Sequence, residues 1–282
     1  MKNCWIIGAS SGIGHETARK YFQQGWNVII SARRIDKLNS LKQQIQNQFP
    51  KQNSKENPQV NPQENSQVNT QQNPQQNLQN HIEIFAFDVC DHENFLNSTN
   101  QIFEKFGKID LVIFACAIYK PMTLKNFDLK LSQEILNINL NSALNFIDIV
   151  IKKMITLQAG HIAVIASVAG YRGLPKSLAY GASKAGLINL FEGIYPELKA
   201  NNIDLSIINP GFVATDLTAK NNFKMPFLIS TQKASEYIFL GLEQKKFEIH
   251  FPKRFTMLMK IIKILPNIFY LKFINYIYNN EK

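Results

Sequence analysis

No apolar run in this chain reaches the roughly 18 residues that a membrane-crossing helix requires, so a transmembrane segment is not expected. Cysteine is scarce: Cys4, Cys90 and Cys116 lie in or beside apolar runs and show no metal-ligand spacing. That pattern argues against a disulfide scaffold and against a metal site, and it predicts buried, reduced thiols in a cytosolic compartment. Zinc-finger and RNA-binding signatures are missing too. Charge is thin at 18 % and unbalanced, with a net charge of +10 and a pI near 9.4. The excess cations are spread along the chain and cluster only near its C-terminus, so nucleic acid is not an expected partner. A signal peptide is not expected, because an apolar strand begins almost at Met1 and a glycine-rich turn follows at once.

What remains is enough for one large α/β domain: 282 residues, 45 % of them apolar. Short apolar runs at 3–7, 27–31, 81–87, 110–116, 161–166, 203–208 and 247–251 read as strands. Helical patterns at 16–24, 35–49, 92–106, 124–157, up to Ala200 and at 231–244 alternate with them. That alternation predicts a doubly wound parallel sheet of about seven strands with helices on both faces. Pro196 should kink or break the helix that ends near Ala200. Residues 51–80 are dominated by Asn, Gln, Pro and Ser, with Asn-Pro-Gln recurring, and predict a disordered surface insertion.

The first strand runs into Gly8-Ala9-Ser10-Ser11-Gly12-Ile13-Gly14 and then a helix. Glycines permit a tight turn and close backbone approach, and a helix N-terminus offers free N–H groups to a pyrophosphate. The second strand ends in Ala32-Arg33-Arg34, where an acid would accept the 2′-hydroxyl bond of NAD. With no acid there and Arg33 suited to a 2′-phosphate, NADP(H) is favoured over NAD(H). Asp88, beside Val89, either bonds the adenine amino group or caps the helix that follows. Several asparagines, Asn139 among them, fall in a helical pattern that asparagine disfavours, which suggests a specific task for at least one. Tyr180 and Lys184 lie four residues apart, hence on one helix face about 6 Å apart along the axis. A cation so placed favours phenolate and would draw the tyrosine pKa down toward neutrality.

Taken together, the glycine loop, Asp88, Asn139, Ser167, Tyr180 with Lys184, and Asn209-Pro210-Gly211 with Thr215 resemble the short-chain dehydrogenase/reductase family from about residue 2 to 252. The resemblance implies a single Rossmann-like domain and an NAD(P)-dependent enzyme acting on a small carbonyl or alcohol. It implies that Tyr180 donates the proton to the carbonyl oxygen. Lys184 would lower the tyrosine pKa and bond the nicotinamide ribose, Ser167 would polarise the carbonyl, and Asn139 would hold a water. Gly8, Ser10, Ser11, Gly12, Ile13, Gly14, Arg33, Asp88, Val89, Pro210, Gly211, Val213 and Thr215 are the implied cofactor contacts. A homo-dimer or tetramer, built through the helices around 124–157 and 178–200, is also implied.

Two departures stand out: Ile7 where the family has Thr, and Phe114-Ala115-Cys116-Ala117 where it has Asn-Asn-Ala-Gly. Ala115 cannot make the bonds of the asparagine, which predicts weaker cofactor affinity or stability. The altered motif also motivates the alternative of a nucleotide-binding scaffold or membrane-associated adaptor without turnover. Phe212, Leu217, Met225, Phe227 and Leu228 form an apolar stretch that reads as a lid over a lipophilic substrate. Residues 253–282 form a basic amphipathic extension, split into two helices at Pro266 within 253–278. This tail permits peripheral contact of a cytoplasmic protein with anionic lipid, or else caps the pocket or packs on a second subunit.

Overall fold

The computed structural model describes residues 1–49, 80–221 and 223–280. The insertion expected at 51–80 therefore lies, apart from Asn80, outside the described residues. Asn80 itself is buried, and its side-chain amide donates to the carbonyls of Phe22 and Trp26.

Seven strands make one parallel sheet in the order β3-β2-β1-β4-β5-β6-β7. They are β1 Asn3–Ile7, β2 Asn27–Ser31, β3 Ile82–Ile84, β4 Leu111–Phe114, β5 Gly160–Ile165, β6 Ile203–Pro210 and β7 Glu248–Phe251. The third strand is shorter than the apolar run 81–87 predicted. Among the described residues it lies at the sheet edge and pairs with β2 alone, over Ile82–Ile84. β6, by contrast, runs through Asn209 to Pro210, which the sequence placed in the turn beyond it; β7 holds that end, with Pro210 opposite Phe251.

Alternate strand residues serve opposite sheet faces. Trp5, Ile7 and Phe114 join a cluster with α3 (His92–Phe106), the helical run 129–157 and α7 (Leu178–Ala200). Cys4, Ile6 and Ile113 join another with α1 (Gly12–Gln23), α2 (Ile35–Gln48) and α8 (Thr231–Glu243). Each fully buried Ile or Phe contributes on the order of 2 kcal/mol to this three-layer core.

The long pattern at 124–157 resolves into α4 (Leu129–Leu136), α5 (Ser142–Phe146) and α6 (Lys152–Leu157), joined by π-helical turns at Asn137–Asn141 and Ile147–Ile151. Pro196 does not break α7. It lies on the exposed face, where the carbonyl that loses its bond meets water. The thiols also differ from expectation: Cys4 is buried, Cys116 half-buried and Cys90 exposed, because Cys90 sits in the turn before α3 rather than in the strand.

The tail folds as two helices, α9 (Lys253–Ile264) and α10 (Asn267–Asn280), split at Pro266 as the sequence predicted. α9 buries Phe255, Met259 and Ile262, and its Lys260 pairs with Glu248 of β7. Glu248 also accepts from Tyr171 and Asn209. Burial alone would raise the Glu248 carboxyl, yet the hydrogen bonds from Lys260 and Tyr171 hold it below its usual range. α10 is clamped to the loop after β5: Arg172 donates to Asn267 and to the carbonyl of Lys263, and stacks 4.3 Å from the Tyr270 ring.

Candidate active site

The sheet order reverses between β1 and β4, and the loops leaving these two strands diverge to opposite faces. A cleft of about 580 Å³ opens at this switch, along the C-terminal ends of the strands. Every glycine, serine and arginine that the sequence singled out for a cofactor lines it, as do Ile13, Asp88, Val89, Pro210, Val213 and Thr215.

The glycine loop is built by lack of space. Gly8 has φ +98°, and a Cβ there would lie 2.8 Å from the Ala115 carbonyl carbon. A Cβ on Gly14 would meet the Gly8 carbonyl oxygen at 2.4 Å and the Ala115 methyl at 3.4 Å. The altered Ala115 thus forms the floor against which this loop packs. Its backbone amide donates to Ile7 at 2.8 Å, so the β1–β4 ladder continues without an asparagine side chain. α1 starts inside the loop, at Gly12; its N-cap Ser11 makes no side-chain capping bond, and its first turn carries no acid. Those first-turn amides favour an anion.

Arg34, the neighbour of Arg33, reaches this loop and donates to the hydroxyls of Ser10 (2.9 Å) and Ser11 (3.1 Å). Arg33 pairs with Asp88 at 3.5 Å, so the two adjacent guanidiniums lie on either side of the same corner of the cleft. The capping alternative for Asp88 is overturned. Asp91 caps α3 by accepting from Asn94, while Asp88 accepts from the Cys90 amide.

Ser167, Tyr180 and Lys184 meet at the other end of the cleft. Ser167 lies two residues beyond β5 and caps a short 3-10 turn, Val168–Gly170; its hydroxyl accepts from the Ala169 amide. Tyr180 and Lys184 share one face of α7, with the ammonium 5.8 Å from the phenol ring centre. Burial raises the Tyr180 phenol above its ordinary value, against the lowering effect of its hydrogen bond with Ser167. The depression expected from Lys184 is not found. That amine is itself buried, donates to the Ile165 carbonyl at 2.8 Å, and is pushed down to about 8 by desolvation. The phenol therefore keeps its proton at neutral pH. Burial likewise pushes the Cys116 thiol in the cleft wall up to about 12, which leaves it unreactive.

Asn139 is buried behind the cleft and does not line it. Its amide nitrogen donates to the Ile118 carbonyl (2.9 Å) and to Ser183 (3.1 Å), and its oxygen accepts from the Ile118 amide (2.8 Å). Both amide hydrogens are thus committed within the protein. The side chain ties the strand end after β4 to α7.

The apolar end of the cleft was only half foreseen. Phe212 and Leu217 line it, whereas Phe227 and Leu228 are exposed and the Met225 sulfur accepts from Asn221. In their place stand Tyr119, whose ring packs edge-on 4.8 Å from Tyr180, and Phe223. Three more come from the tail: Phe255 of α9 and Ile274 and Ile277 of α10. The pocket-capping role that the sequence allowed for the tail is thus observed, although nothing local marks these three residues individually.

The family model for short chain dehydrogenases matches residues 2–55 and 55–225. The chain belongs to the short-chain dehydrogenase family. It is accordingly an NAD(P)-dependent oxidoreductase. An uncharacterized oxidoreductase of Myxococcus xanthus is 28 % identical over 262 residues, covering 93 % of this chain and 92 % of the relative. A 3-oxoacyl-acyl-carrier-protein reductase of Thermotoga maritima is 26 % identical over 219 residues, with 78 % and 77 % covered. Among solved structures, levodione reductase aligns with a TM-score of 0.74 at 17 % identity over 91 % of this chain and 98 % of its own. A short-chain dehydrogenase of Sphingobium yanoikuyae in complex with NADPH aligns at 0.71 and 16 % identity, over 95 % and 97 %. At these identities the solved structures establish a shared Rossmann-like fold. The residues of the short-chain dehydrogenase cleft fit a dinucleotide: close-packed glycines and α1 amides suit a pyrophosphate, and paired guanidiniums suit a further anion.

Proposed function

We propose that this short-chain dehydrogenase is an NADPH-dependent carbonyl reductase, or in reverse a secondary-alcohol dehydrogenase, acting on a small lipophilic substrate. The observation that carries the reading is the convergence of Ser167, Tyr180 and Lys184 in the cleft that the glycine loop and two arginines enter. A nicotinamide dinucleotide whose pyrophosphate is held by that loop would supply a hydride to the carbonyl carbon. Tyr180 gives its proton to the carbonyl oxygen, and Ser167 donates a hydrogen bond to the charge developing there. The Lys184 ammonium stabilises the phenolate left behind. Asn139 acts as a positioning residue, holding Ile118 and Ser183 on either side.

This chemistry sets a pH dependence. Lys184 carries its charge below about 8 and loses it above. Reductive kcat/KM is expected to be level at lower pH and to decline as pH rises through that value, because a neutral amine no longer offsets the phenolate. A pH–rate profile checks this, and Lys184→Met should lack the break. An unchanged break in that variant would assign the titration to another group.

NADPH preference is supported by the two guanidiniums at the end of β2, a strand end that carries no acid of its own; Arg33 is held there by Asp88 and Arg34 by Ser10 and Ser11. A charge-assisted hydrogen bond is worth about 1.5–3 kcal/mol. Arg33→Ala with Arg34→Ala should therefore weaken NADPH binding by about 10–100-fold while leaving NADH nearly unaffected. Fluorescence titration of both nucleotides measures the difference. Equal affinity of the parent protein for the two would reject the preference.

The lipophilic substrate is supported by the aromatic and aliphatic lining near Tyr180, from Tyr119, Leu174, Phe212, Phe223, Phe255 and Ile274. A ketone carried on an acyl chain suits such a wall, and one relative is named as a 3-oxoacyl reductase. Homo-oligomerisation belongs to the same reading: Leu144, Leu178 and Tyr195 stand exposed on α5 and α7.

A further inference from the structure

α9 is apolar on two faces. Its inner stripe, Phe255, Met259 and Ile262, is buried, while Met257, Leu258, Ile261 and Ile264 point outward, Ile261 at 55 % and Ile264 at 79 % exposure. α10 continues that outer surface with Ile268, Phe269, Leu271 and Phe273, Phe269 being 60 % exposed. Ten of the twenty-four large exposed apolar side chains among the described residues fall within 257–278. Isolated exposed leucines need no explanation, but this concentration of exposed apolar side chains on two successive helices marks a contact.

The charges say what kind of contact. Residues 253–280 carry Lys253, Arg254, Lys260, Lys263 and Lys272 and not one Asp or Glu. Lys260 is held by Glu248, but a twofold contact between two copies of this surface would set the other four cations against the same cations, with no acid of the two helices to separate them. An anionic bilayer accepts both features at once: the side chains enter the acyl boundary and the cations meet headgroup phosphates and carboxylates. None of the described helices is long and apolar enough to cross a membrane, so the pair would lie along the surface.

We propose that the outer face of α9 and α10 docks this protein on an anionic lipid bilayer. Ile274 and Ile277 line the cleft from the same helix that carries Phe269 and Leu271, so docking brings the cleft wall close to the lipid. A lipophilic ketone dissolved in that leaflet would reach Tyr180 by a short apolar path, a consequence that rests on the substrate reading above.

The test is co-sedimentation of the full-length protein with vesicles of phosphatidylcholine alone or with phosphatidylserine added. The parent is expected to pellet with the mixed vesicles, far less with the neutral ones, and to be released by high salt. Leu258→Glu/Ile261→Glu/Ile264→Glu should lower partitioning at least about tenfold while leaving reduction of a water-soluble ketone unchanged. Arg254→Gln/Lys272→Gln, which spares the apolar side chains, should abolish the preference for phosphatidylserine. Binding is read without turnover, so failure of the enzyme reading leaves this result intact. The proposal is overturned if the parent ignores both vesicles, or if the triple-Glu variant pellets like the parent. It is overturned too if the parent forms a dimer in ultracentrifugation that the triple-Glu variant dissolves while vesicles are ignored.

Discussion

Tyr180→Phe is expected to lower kcat/KM for ketone reduction by about 10²–10⁴-fold, the range in which a positioned proton donor contributes. The substitution removes one oxygen. The ring keeps its edge-on contact with Tyr119 at 4.8 Å and its place 5.8 Å from Lys184, so NADPH affinity and thermal stability should change little. Loss of the hydrogen bond to Ser167 is the main structural consequence. Hydride transfer followed by NADPH absorbance across a panel of ketones, with nucleotide binding measured alongside, checks both parts. A variant as active as the parent would remove Tyr180 from the chemistry. A parent that binds NADPH and turns over no ketone or alcohol would favour the scaffold alternative.

Gly170→Ala is expected to damage the site by a different route. A Cβ at Gly170 would stand 2.6 Å from the Lys184 carbonyl carbon, 2.7 Å from its oxygen and 2.8 Å from the Ala185 nitrogen. All three are backbone atoms in the middle of α7 and cannot swing aside, so the 3-10 turn must move away from the helix. Ser167 begins that turn, and Tyr180 and Lys184 ride on that helix. Overpacking of this kind costs about 1–3 kcal/mol of stability. A displacement of about 1 Å between reacting groups costs on the order of 10² in rate. Gly173 provides the control: a Cβ there meets nothing within 4 Å, and Gly173→Ala should be close to neutral. Thermal denaturation and kcat/KM of the two variants decide the matter. If Gly170→Ala retains both stability and rate, the turn does not depend on its approach to α7.

The glycine loop, the alternation of strand and helix, and the spacings from Ser167 to Tyr180 and from Tyr180 to Lys184 were legible in the sequence. Each depends on local geometry, namely a tight turn, a period or one helical repeat, and such geometry is written in consecutive residues. The cofactor corner was legible through Arg33, but the choice of Arg34 as the guanidinium that reaches Ser10 and Ser11 depends on how β2 meets the loop after β1. The direction of the Tyr180 shift was read the wrong way. The sequence shows that an ammonium is four residues distant, while in the folded chain desolvation dominates the phenol and outweighs its hydrogen bond with Ser167. The lid was half missed for the same reason. Phe255, Ile274 and Ile277 reach the cleft because Arg172 and the Glu248–Lys260 pair anchor the tail helices beside it, far along the chain from Tyr180. The sequence by itself determined which groups this protein has available for chemistry and on which elements they ride. Tertiary packing decided which of them share one low-dielectric cleft, what their protons cost there, and which wall a substrate meets, because burial and long-range docking are properties of the assembled layers and of no single segment.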